Sequence, residues 1–484
     1  MNISRHTKLV ENIKSVALVV LLFFTILLLY FFWGAPFRGF IKESPPEGKA
    51  LELVEIFRPD RINVCFGGNT YTVTSGNFDV IMDCFRAFSA GRNLSLEEIP
   101  KDRYDERMRQ PSIKAVFEYF VPFSAVCEIY GIERIPGSDN LDALTELGYT
   151  AEHDDRLFVY DKKSDKYYRI IGNSSSSFEM LKNEIAEAEK IGATFYPLET
   201  YMGGEITNST LCPFSFESGI HDIVYSHEDF SVRAERTSGI IKGFFSGNFD
   251  FVRRIEEESG TVIYMYGYGR IVVVAHNNGV LEFKREDGER ASTQLRYLEA
   301  FERANAFIAA HGAFDSIDGG FQAVPYIKEV VADPEGKRGF RFVFGLTADG
   351  SKVFYQSGSP ITVDVMGGRV TYFKRDFINV RPNGPQTADR GVREVFSAFG
   401  LLWNNERQIR EILAITGITG TADISFEELA EMVTNFDCGY FKPDRNAGGA
   451  ETEDELKAAW VVSIGGLELF FGLDDGKPLG YRNE

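Results

Sequence analysis

One uninterrupted hydrophobic stretch stands out near the start of this chain, from Val16 to Trp33, reading VALVVLLFFTILLLYFFW. It contains no charged residue, and its hydroxyl groups are those of Thr25 and Tyr30. An α-helix of about 18 residues spans roughly 27 Å, which is close to the thickness of the hydrocarbon core of a bilayer. The pattern predicts a single transmembrane helix over residues 15–34.

Basic residues flank this stretch on both sides: Arg5, Lys8 and Lys14 precede it, and Arg38 and Lys42 follow it. The asymmetry favours a cytoplasmic N-terminal tail (residues 1–14), a spacer (residues 35–50) and a large extracytoplasmic body. A cleaved signal peptide is the alternative. Its hydrophobic region would be unusually long and no small-residue cleavage site follows, so we expect an uncleaved anchor in the cell membrane.

Bulky aromatic side chains give the predicted anchor an irregular surface; they are Phe23, Phe24, Phe31, Phe32 and Trp33. Thr25 adds one polar group near the middle of the bilayer. The stretch has no G-x-x-x-G motif, so packing against another membrane helix would depend on shape and on that polar contact. We predict that these six residues form the anchor and a candidate contact with the helices of a membrane partner.

Beyond residue 50 the hydrophobic positions recur with the shorter periods of a globular body. Phe78, Ile81, Phe85 and Phe88 form one apolar stripe, which predicts a helix from Asn77 to Ala90. The same reasoning predicts further elements: a strand at Leu51–Phe57, and helices at Ser112–Phe120, Ser138–Leu147, Val392–Leu402 and Asn405–Ile415.

The order of these elements divides the body into three predicted domains, covering residues 51–238, 239–380 and 381–484. A linker rich in proline, glycine and polar residues, Arg381–Gly391, separates the last two. The predicted fold class is therefore α+β: one N-terminal transmembrane helix followed by three small mixed domains of antiparallel sheets with packed helices.

The net charge of the 484 residues is −19, so the surface as a whole should repel nucleic acid and anionic lipid headgroups. No basic face offsets this charge in the sequence. The five cysteines are scattered and none forms a C-x-x-C pair, which argues against a disulfide framework or a zinc ribbon.

One segment has a composition that could bind a metal: HDIVYSHED, with His221, His227 and the neighbouring Asp222, Glu228 and Asp229. The even separation would place both histidines on one face of a strand, within reach of a shared ion. An acidic, solvated loop is the interpretation we favour, and no metal site is predicted.

Motifs of catalysis are missing from the sequence: there is no G-x-S-x-G elbow, no H-E-x-x-H and no Walker A loop. The segment Gly417–Glu428 imitates the end of a calcium-binding EF-hand loop, but its first ligand positions carry no carboxylate. Ser425 and Glu428 are better explained as a helix capping box. We predict no catalytic residue, no cofactor and no enzymatic activity.

Several short segments of this chain together match the pattern of one known protein family. The longest is Phe244–Phe283, reading FFSGNFDFVRRIEEESGTVIYMYGYGRIVVVAHNNGVLEF. Other similar segments are Arg58–Gly68, Phe307–Gly312, Phe340–Phe342, Ile361–Val363, Val370–Arg375 and Ala459–Trp460. With these segments the chain resembles the YycH family of low-GC Gram-positive bacteria, and it departs from that family at Tyr266–Gly269, where an aspartate is common.

This resemblance implies a non-enzymatic, membrane-anchored regulator of a sensor histidine kinase. Its partners would be the kinase WalK, also called YycG, and a YycI-like membrane protein, in a two-component system that controls cell-wall metabolism. Two other functions stay open: a wall-active enzyme or its assembly factor, and a module that binds wall polymer. No nucleic acid partner is expected.

We predict that the anchor acts by packing against membrane helices of the kinase, because residues 1–14 are too short to carry an output domain. Replacing Val16–Tyr30 by an all-leucine helix, with Trp33 and the flanking charges kept, should change kinase output, measured with a reporter gene. Membrane insertion and protein abundance are the controls. Unchanged output at normal abundance would favour simple tethering.

Overall fold

The computed structural model describes residues 18, 20–25, 49–74, 76, 78–90, 94–138, 141–151, 157–172, 178–192, 194–204, 206–214, 217–227, 234–286, 295–312, 314, 324–334, 338–382, 393–444 and 454–483. The chain separates into two compact units, residues 1–44 and residues 45–484. Within the described ranges no helix has the length and apolar character needed to span a bilayer. Most of residues 15–34 lie outside those ranges, so the transmembrane helix stays a prediction.

The first sheet of the larger unit has nine strands: β1 (Arg61–Gly67), β2 (Thr70–Thr74), β3 (Ser95–Ile99), β4 (Ser112–Val116), β5 (Leu144–Thr150), β6 (Leu157–Asp161), β7 (Lys166–Ile171), β8 (Phe195–Pro197) and β9 (Leu211–Pro213). Their spatial order is β3-β7-β6-β5-β4-β1-β2-β8-β9. Every neighbouring pair in this sheet is antiparallel.

A two-stranded ladder joins β10 (Glu217–Ser218) to β22 (Arg393–Glu394). The second large sheet has 15 strands: β11 (Ile223–His227), β12 (Arg253–Glu256), β13 (Val262–Tyr266), β14 (Ile271–Ala275), β15 (Val280–Arg285), β16 (Val324–Ala332), β17 (Gly339–Ala348), β18 (Ser351–Tyr355), β19 (Ile361–Met366), β20 (Arg369–Asp376), β21 (Ile378–Pro382), β23 (Val433–Lys442), β24 (Asp454–Ile464), β25 (Leu467–Gly472) and β26 (Pro478–Asn483).

One pair in the second sheet, β18 with β23, runs parallel. Lys352 lies opposite Gly439 in this pair, and a Cβ atom at Gly439 would come within 2.3 Å of the Lys352 carbonyl oxygen. Only glycine allows the two backbones to approach so closely. The α+β class is confirmed, with the correction that one of its sheets is mixed.

The helices of the larger unit are α1 (Leu53–Ile56), α2 (Phe78–Ser89), α3 (Lys101–Met108), α4 (Phe123–Tyr130), α5 (Glu179–Ile191), α6 (Leu198–Met202), α7 (Ala234–Gly243), α8 (Tyr297–Ala310), α9 (Ala398–Ile415) and α10 (Phe426–Glu431), with a 3₁₀ turn at Phe249–Phe251. The apolar stripe predicted for α2 is buried as expected. The predicted capping box of Ser425 and Glu428 is present at the start of α10.

Three predicted elements have the wrong type, and one helix was predicted as two. Ser112–Phe120 contains strand β4 where a helix was predicted, and Ser138–Leu147 leads into strand β5. Strand β4 lies between β1 and β5 in the sheet, and four of its five residues are buried, on both faces. A strand without alternation between buried and exposed positions cannot be told from a buried helix by its period. Leu51–Phe57 forms the short helix α1, and the two helices predicted in 392–415 are the single helix α9.

The hydrophobic core is continuous across the predicted domain boundary at residue 238. Phe57 packs against Phe301 with ring centroids 4.6 Å apart, and Tyr297 adds a contact at 5.9 Å. Both partners lie on α8, which also packs on β17, β19 and β20. The division into three domains stays a prediction, and these contacts show that its first two parts share one core.

Strand β11 carries the chain from the first predicted domain into the second sheet. It lies between β21 and β24, antiparallel to both. Ile223 and Tyr225 are buried on one face of β11 among residues from β17, β18 and β21. Residues 223–227 therefore belong structurally with strands that come more than 150 positions later in the chain.

Lys352, on β18, joins three distant parts of the chain through its charge. Its Nζ atom lies 2.9 Å from an Asp437 carboxylate oxygen and 3.8 Å from Oδ1 of Asp60. The Tyr326 ring centroid is 5.7 Å away. The Asp60 side chain is only 7% exposed, so removing the ammonium would leave a buried carboxylate without its compensating charge.

We predict that Lys352→Met lowers the free energy of unfolding by about 3 kcal/mol at pH 8, measured from the denaturant midpoint. Lys163→Met is the matched control. Its ammonium lies 2.8 Å from Asp142 but is 61% exposed, so its loss should cost less than about 1 kcal/mol. Equal losses in the two variants would contradict this account. Adding Asp437→Asn to Lys352→Met should recover part of the loss.

Candidate functional site

Three of the six predicted anchor residues lie in the described helical segment 20–25. Phe23 and Phe24 are exposed there, and the Thr25 hydroxyl donates to the Leu21 carbonyl oxygen at 2.8 Å. This bond uses the hydrogen of the polar group predicted near the middle of the bilayer, although the Thr25 oxygen can still accept a hydrogen bond from a neighbouring helix. Phe31, Phe32 and Trp33 lie outside the described residues, so the anchor contact stays a prediction.

His227 is the last residue of β11, and its side chain is 7% exposed. The solvated loop predicted for this segment is therefore wrong at residues 223–227, because β11 is enclosed by β21 and β24. His221 precedes the strand, and Asp222 accepts a hydrogen bond from the Ala458 backbone at 2.8 Å. Glu228 and Asp229 lie outside the described residues. Among those described, no cluster of histidine, cysteine or acidic side chains could hold a metal ion.

A buried ionic cluster forms around His227 at the meeting point of three strands. Its Nδ1 atom lies 3.2 Å from Oδ1 of Asp376, and Nζ of Lys442 lies 3.4 Å from the other oxygen. The Lys442 ammonium sits 4.8 Å from the ring centroid of Tyr355 and 5.3 Å from that of Tyr225. Ion pairs and cation–π contacts of this cluster therefore connect β11 with β20 and β23.

The pKa of Asp376 reflects this environment. Burial by itself raises the pKa, but the hydrogen bond with His227 and the charge of Lys442 outweigh it, so the pKa falls below its usual value. The carboxylate therefore stays ionised inside the protein. Within the described part of the chain, His227 Nε2 and the Tyr355 hydroxyl are buried without a hydrogen-bond partner.

In the cluster around Lys352, the pKa of Asp60 is raised, in contrast to the lowered pKa of Asp376. Burial raises its pKa to about 7, and the Lys352 charge and the Glu118 backbone amide, 2.8 Å from Oδ2, offset only part of this effect. In the unfolded chain the Asp60 carboxyl loses its proton near pH 4, whereas in the folded chain it keeps the proton up to about pH 7. Stability contributed by the protonated form is therefore lost as pH rises from about 4 to about 7.

A row of aromatic side chains crosses the surface where the first predicted domain meets the third. We name this the aromatic row; its members in spatial order are Tyr196, Phe214, Tyr201, Phe399, Phe426 and Trp403. Successive ring centroids are 5.6, 5.6, 5.3, 6.3 and 5.1 Å apart. The side chains of Phe214 and Trp403 are exposed, Trp403 by 59%.

Acidic side chains border one end of the aromatic row. Asp423 precedes α10, Glu427 lies in its first turn and Glu431 is its last residue, and all three are exposed. The sequence analysis missed this surface because its members come from three stretches separated by up to about 200 positions, with no shared period. Exposed aromatic side chains beside charges are typical of protein–protein contacts.

A small cavity of about 200 Å³ is lined by residues of the first predicted domain: Phe120, Pro122, Ser124, Ser138, Leu141, Asp142 and Lys163. Sites for small molecules usually measure roughly 300–1,000 Å³. The Lys163–Asp142 ion pair at 2.8 Å also satisfies the charges at this cavity. The aromatic row is therefore the stronger candidate for a binding surface.

Comparison with known proteins gives one relevant structural match. No protein-family model matches this chain, and no curated protein matches its sequence. The crystal structure of YycH from Bacillus subtilis superposes with a TM-score of 0.54, covering 89% of this chain and 97% of the YycH chain at 9% sequence identity. The fold is YycH-like. At this identity the match establishes the fold alone, and it confirms the resemblance to YycH at that level.

We predict that Asp60→Asn makes the free energy of unfolding less dependent on pH. Compared with the unmodified protein, the variant should show a smaller loss of unfolding free energy between pH 5 and pH 7.5, because its amide does not titrate. Asp376→Asn is the control, because the pKa of Asp376 is lowered by the His227 hydrogen bond and the Lys442 charge, so its carboxylate stays ionised throughout this pH range. Denaturant titrations across the pH range measure both, and equal slopes in the Asp60→Asn variant and the unmodified protein would contradict the prediction.

Proposed function

We propose that this protein is a non-enzymatic, membrane-anchored, extracytoplasmic regulator of a sensor histidine kinase. The observation that carries the proposal is the YycH-like fold, which extends over 97% of the YycH chain. The sequence segments that resemble the YycH family support the same function. The kinase would be WalK-like, and a YycI-like membrane protein would be a second partner.

The membrane position of the protein is part of the proposal. The hydrophobic stretch Val16–Trp33 would anchor the chain, with residues 1–14 in the cytoplasm and the larger unit outside the cell membrane. A tether of this kind confines the body to a thin layer next to the kinase. The resulting effective concentration would allow a weak contact to regulate the kinase.

The aromatic row offers the contact surface that such a regulator needs. Trp403 and Phe214 expose large apolar areas, and the neighbouring Asp423, Glu427 and Glu431 add negative charge. This combination fits a partner protein whose surface carries aliphatic groups beside lysine or arginine. We propose that the extracytoplasmic part of the kinase, or of the YycI-like protein, provides that surface.

We predict that Trp403→Ala together with Phe214→Ala lowers recovery of the kinase when the full-length protein is purified from detergent-solubilised membrane. Tryptophan in the centre of an interface commonly contributes 2 kcal/mol or more, about a 30-fold loss in affinity. Ile415→Ala is the matched control, because Ile415 is also exposed on α9 but lies outside the row.

Recovery of neither a histidine kinase nor a YycI-like protein by the unmodified chain would contradict the proposed function. Normal recovery by both the double variant and the Ile415→Ala control would keep the function but refute this surface. The experiment therefore separates the partner from the place where it binds.

A further inference from the structure

At one end of the second sheet, the ends of the neighbouring strands β12, β13, β14, β15 and β20 lie side by side. Register aligns Tyr266 with Ile271, and Ile271 with Arg285, so the β13–β14 turn lies beside the end of β15. Lys284 faces Tyr372, which brings the first residues of β20 to the same end. Strand β12 begins there too, because Arg253 is paired with Met265.

This end carries arginine and aromatic side chains together, and all of them are exposed except Arg285, which is half-buried. We name it the arginine edge; its members are Phe251, Arg253, Tyr268, Arg270, Arg285 and Arg369. Tyr268 is fully exposed at the tip of its turn and Phe251 is 79% exposed. Tyr268 has a positive φ of 58°, a conformation that holds its ring on a tight Gly-Tyr-Gly turn.

The arginines of this edge are not neutralised within the described part of the protein. Arg253, Arg270, Arg285 and Arg369 form no ion pair there. Other cations do form ion pairs, among them Arg58 with Asp79 and Lys114 with Glu146. The acidic neighbours in sequence, Asp250 and Glu286, form no ion pair with these arginines in that part either.

Two of these arginines also lie close enough to affect each other. Burial lowers the pKa of Arg285, and the charge of Arg369 lowers it further. The expectation that this acidic chain has no basic face is therefore wrong. The sequence did not reveal it because the four arginines come from three strands and one turn that only the sheet brings together.

The chain enters the larger unit near this edge. The backbone of Leu51 exchanges two hydrogen bonds with the Asn305 side chain on α8, at 2.8 and 3.0 Å. Two residues earlier on α8, the Arg303 guanidinium donates to the Gly368 carbonyl oxygen, next to Arg369. Two residues of helix rise only about 3 Å, so the entry point and the β19–β20 turn are neighbours.

We propose that the arginine edge binds the surface of a bilayer that contains anionic lipid. Arginine side chains pair with lipid phosphates, and exposed tyrosine and phenylalanine rings favour the boundary between headgroups and acyl chains. This inference rests on the membrane anchor in the proposed function. The predicted spacer, residues 35–50, could extend up to roughly 55 Å, which leaves ample length for the edge to reach the lipid.

An acidic protein is the other class of partner that would match four arginines. Two observations favour lipid. The aromatic rings beside the arginines project singly from turns and form no packed patch, and the chain enters from the predicted anchor close to the same edge. Contact with the bilayer would fix the orientation of the body relative to the membrane while its other surfaces stay free for protein partners.

The test uses the full-length protein inserted in lipid nanodiscs, with an environment-sensitive fluorophore attached at Tyr268→Cys. Discs of phosphatidylcholine alone are compared with discs that also contain phosphatidylglycerol. Ile415→Cys, exposed on α9, is the control position. Unmodified protein measures background labelling, since Cys65, Cys84, Cys127 and Cys212 are buried and Cys438 is partly buried.

We expect a blue shift and quenching by lipid-borne quenchers at position 268 in the anionic discs only, with no change at position 415. Arg253→Gln and Arg270→Gln should each lower the ratio of lipid-bound to unbound protein body by roughly fivefold. Arg407→Gln, at an exposed position on α9, should have no effect. High salt should weaken the contact, since it screens exposed charges.

Equal signals in both kinds of disc, or equal quenching at positions 268 and 415, would overturn the proposal. A blue shift produced by soluble poly-glutamate and not by anionic lipid would identify an acidic polypeptide as the partner and would also overturn it. Failure of the chain to insert in the discs would count against the anchor itself. No kinase is present, so the kinase part of the proposed function is not at issue.

Discussion

The Lys352 ammonium is the charge on which the assembly of this protein depends. It compensates Asp60 from the first predicted domain and Asp437 from the third, while its own strand belongs to the second. The carboxylate of Asp60 is buried so deeply that burial raises its pKa to about 7 even with the ammonium nearby. The three parts are therefore coupled, because separating any one of them would leave a charge without its partner.

Strand β11 couples the same parts of the chain through its backbone. It leaves the first predicted domain and inserts between β21 and β24, where Asp376 and Lys442 compensate each other next to His227. A buried polar cluster of this kind tolerates few alternative registers, since a shift of one residue would put Ser226 in the place of His227 and turn the side chains of the strand to the opposite faces of the sheet. The cluster is thus better explained as a determinant of strand position than as a reaction centre.

Two surfaces of this protein, the aromatic row and the arginine edge, carry opposite charge and suit different partners. The aromatic row lies beside exposed glutamates and an aspartate, and suits a basic protein partner. The arginine edge lies where the chain enters the body, and suits an anionic surface. In a protein of net charge −19, the arginine edge is an exception, because its arginines form no ion pair within the described part of the chain. Under the proposed lipid contact, this edge would orient the body relative to the membrane.

The sequence by itself determined the α+β class, helix α2 and the capping box of α10, because short-range periodicity and turn residues encode them locally. The YycH-like fold was indicated by the resemblance of several short segments to that family. Strand β4, the place of His227 and both surface clusters were decided only by the tertiary structure. A strand buried on both faces has no alternation to read, and β11 has partners more than 150 positions away. Phe214 and Trp403, like Arg253 and Arg369, become neighbours only when distant strands and helices pack, which no local pattern records.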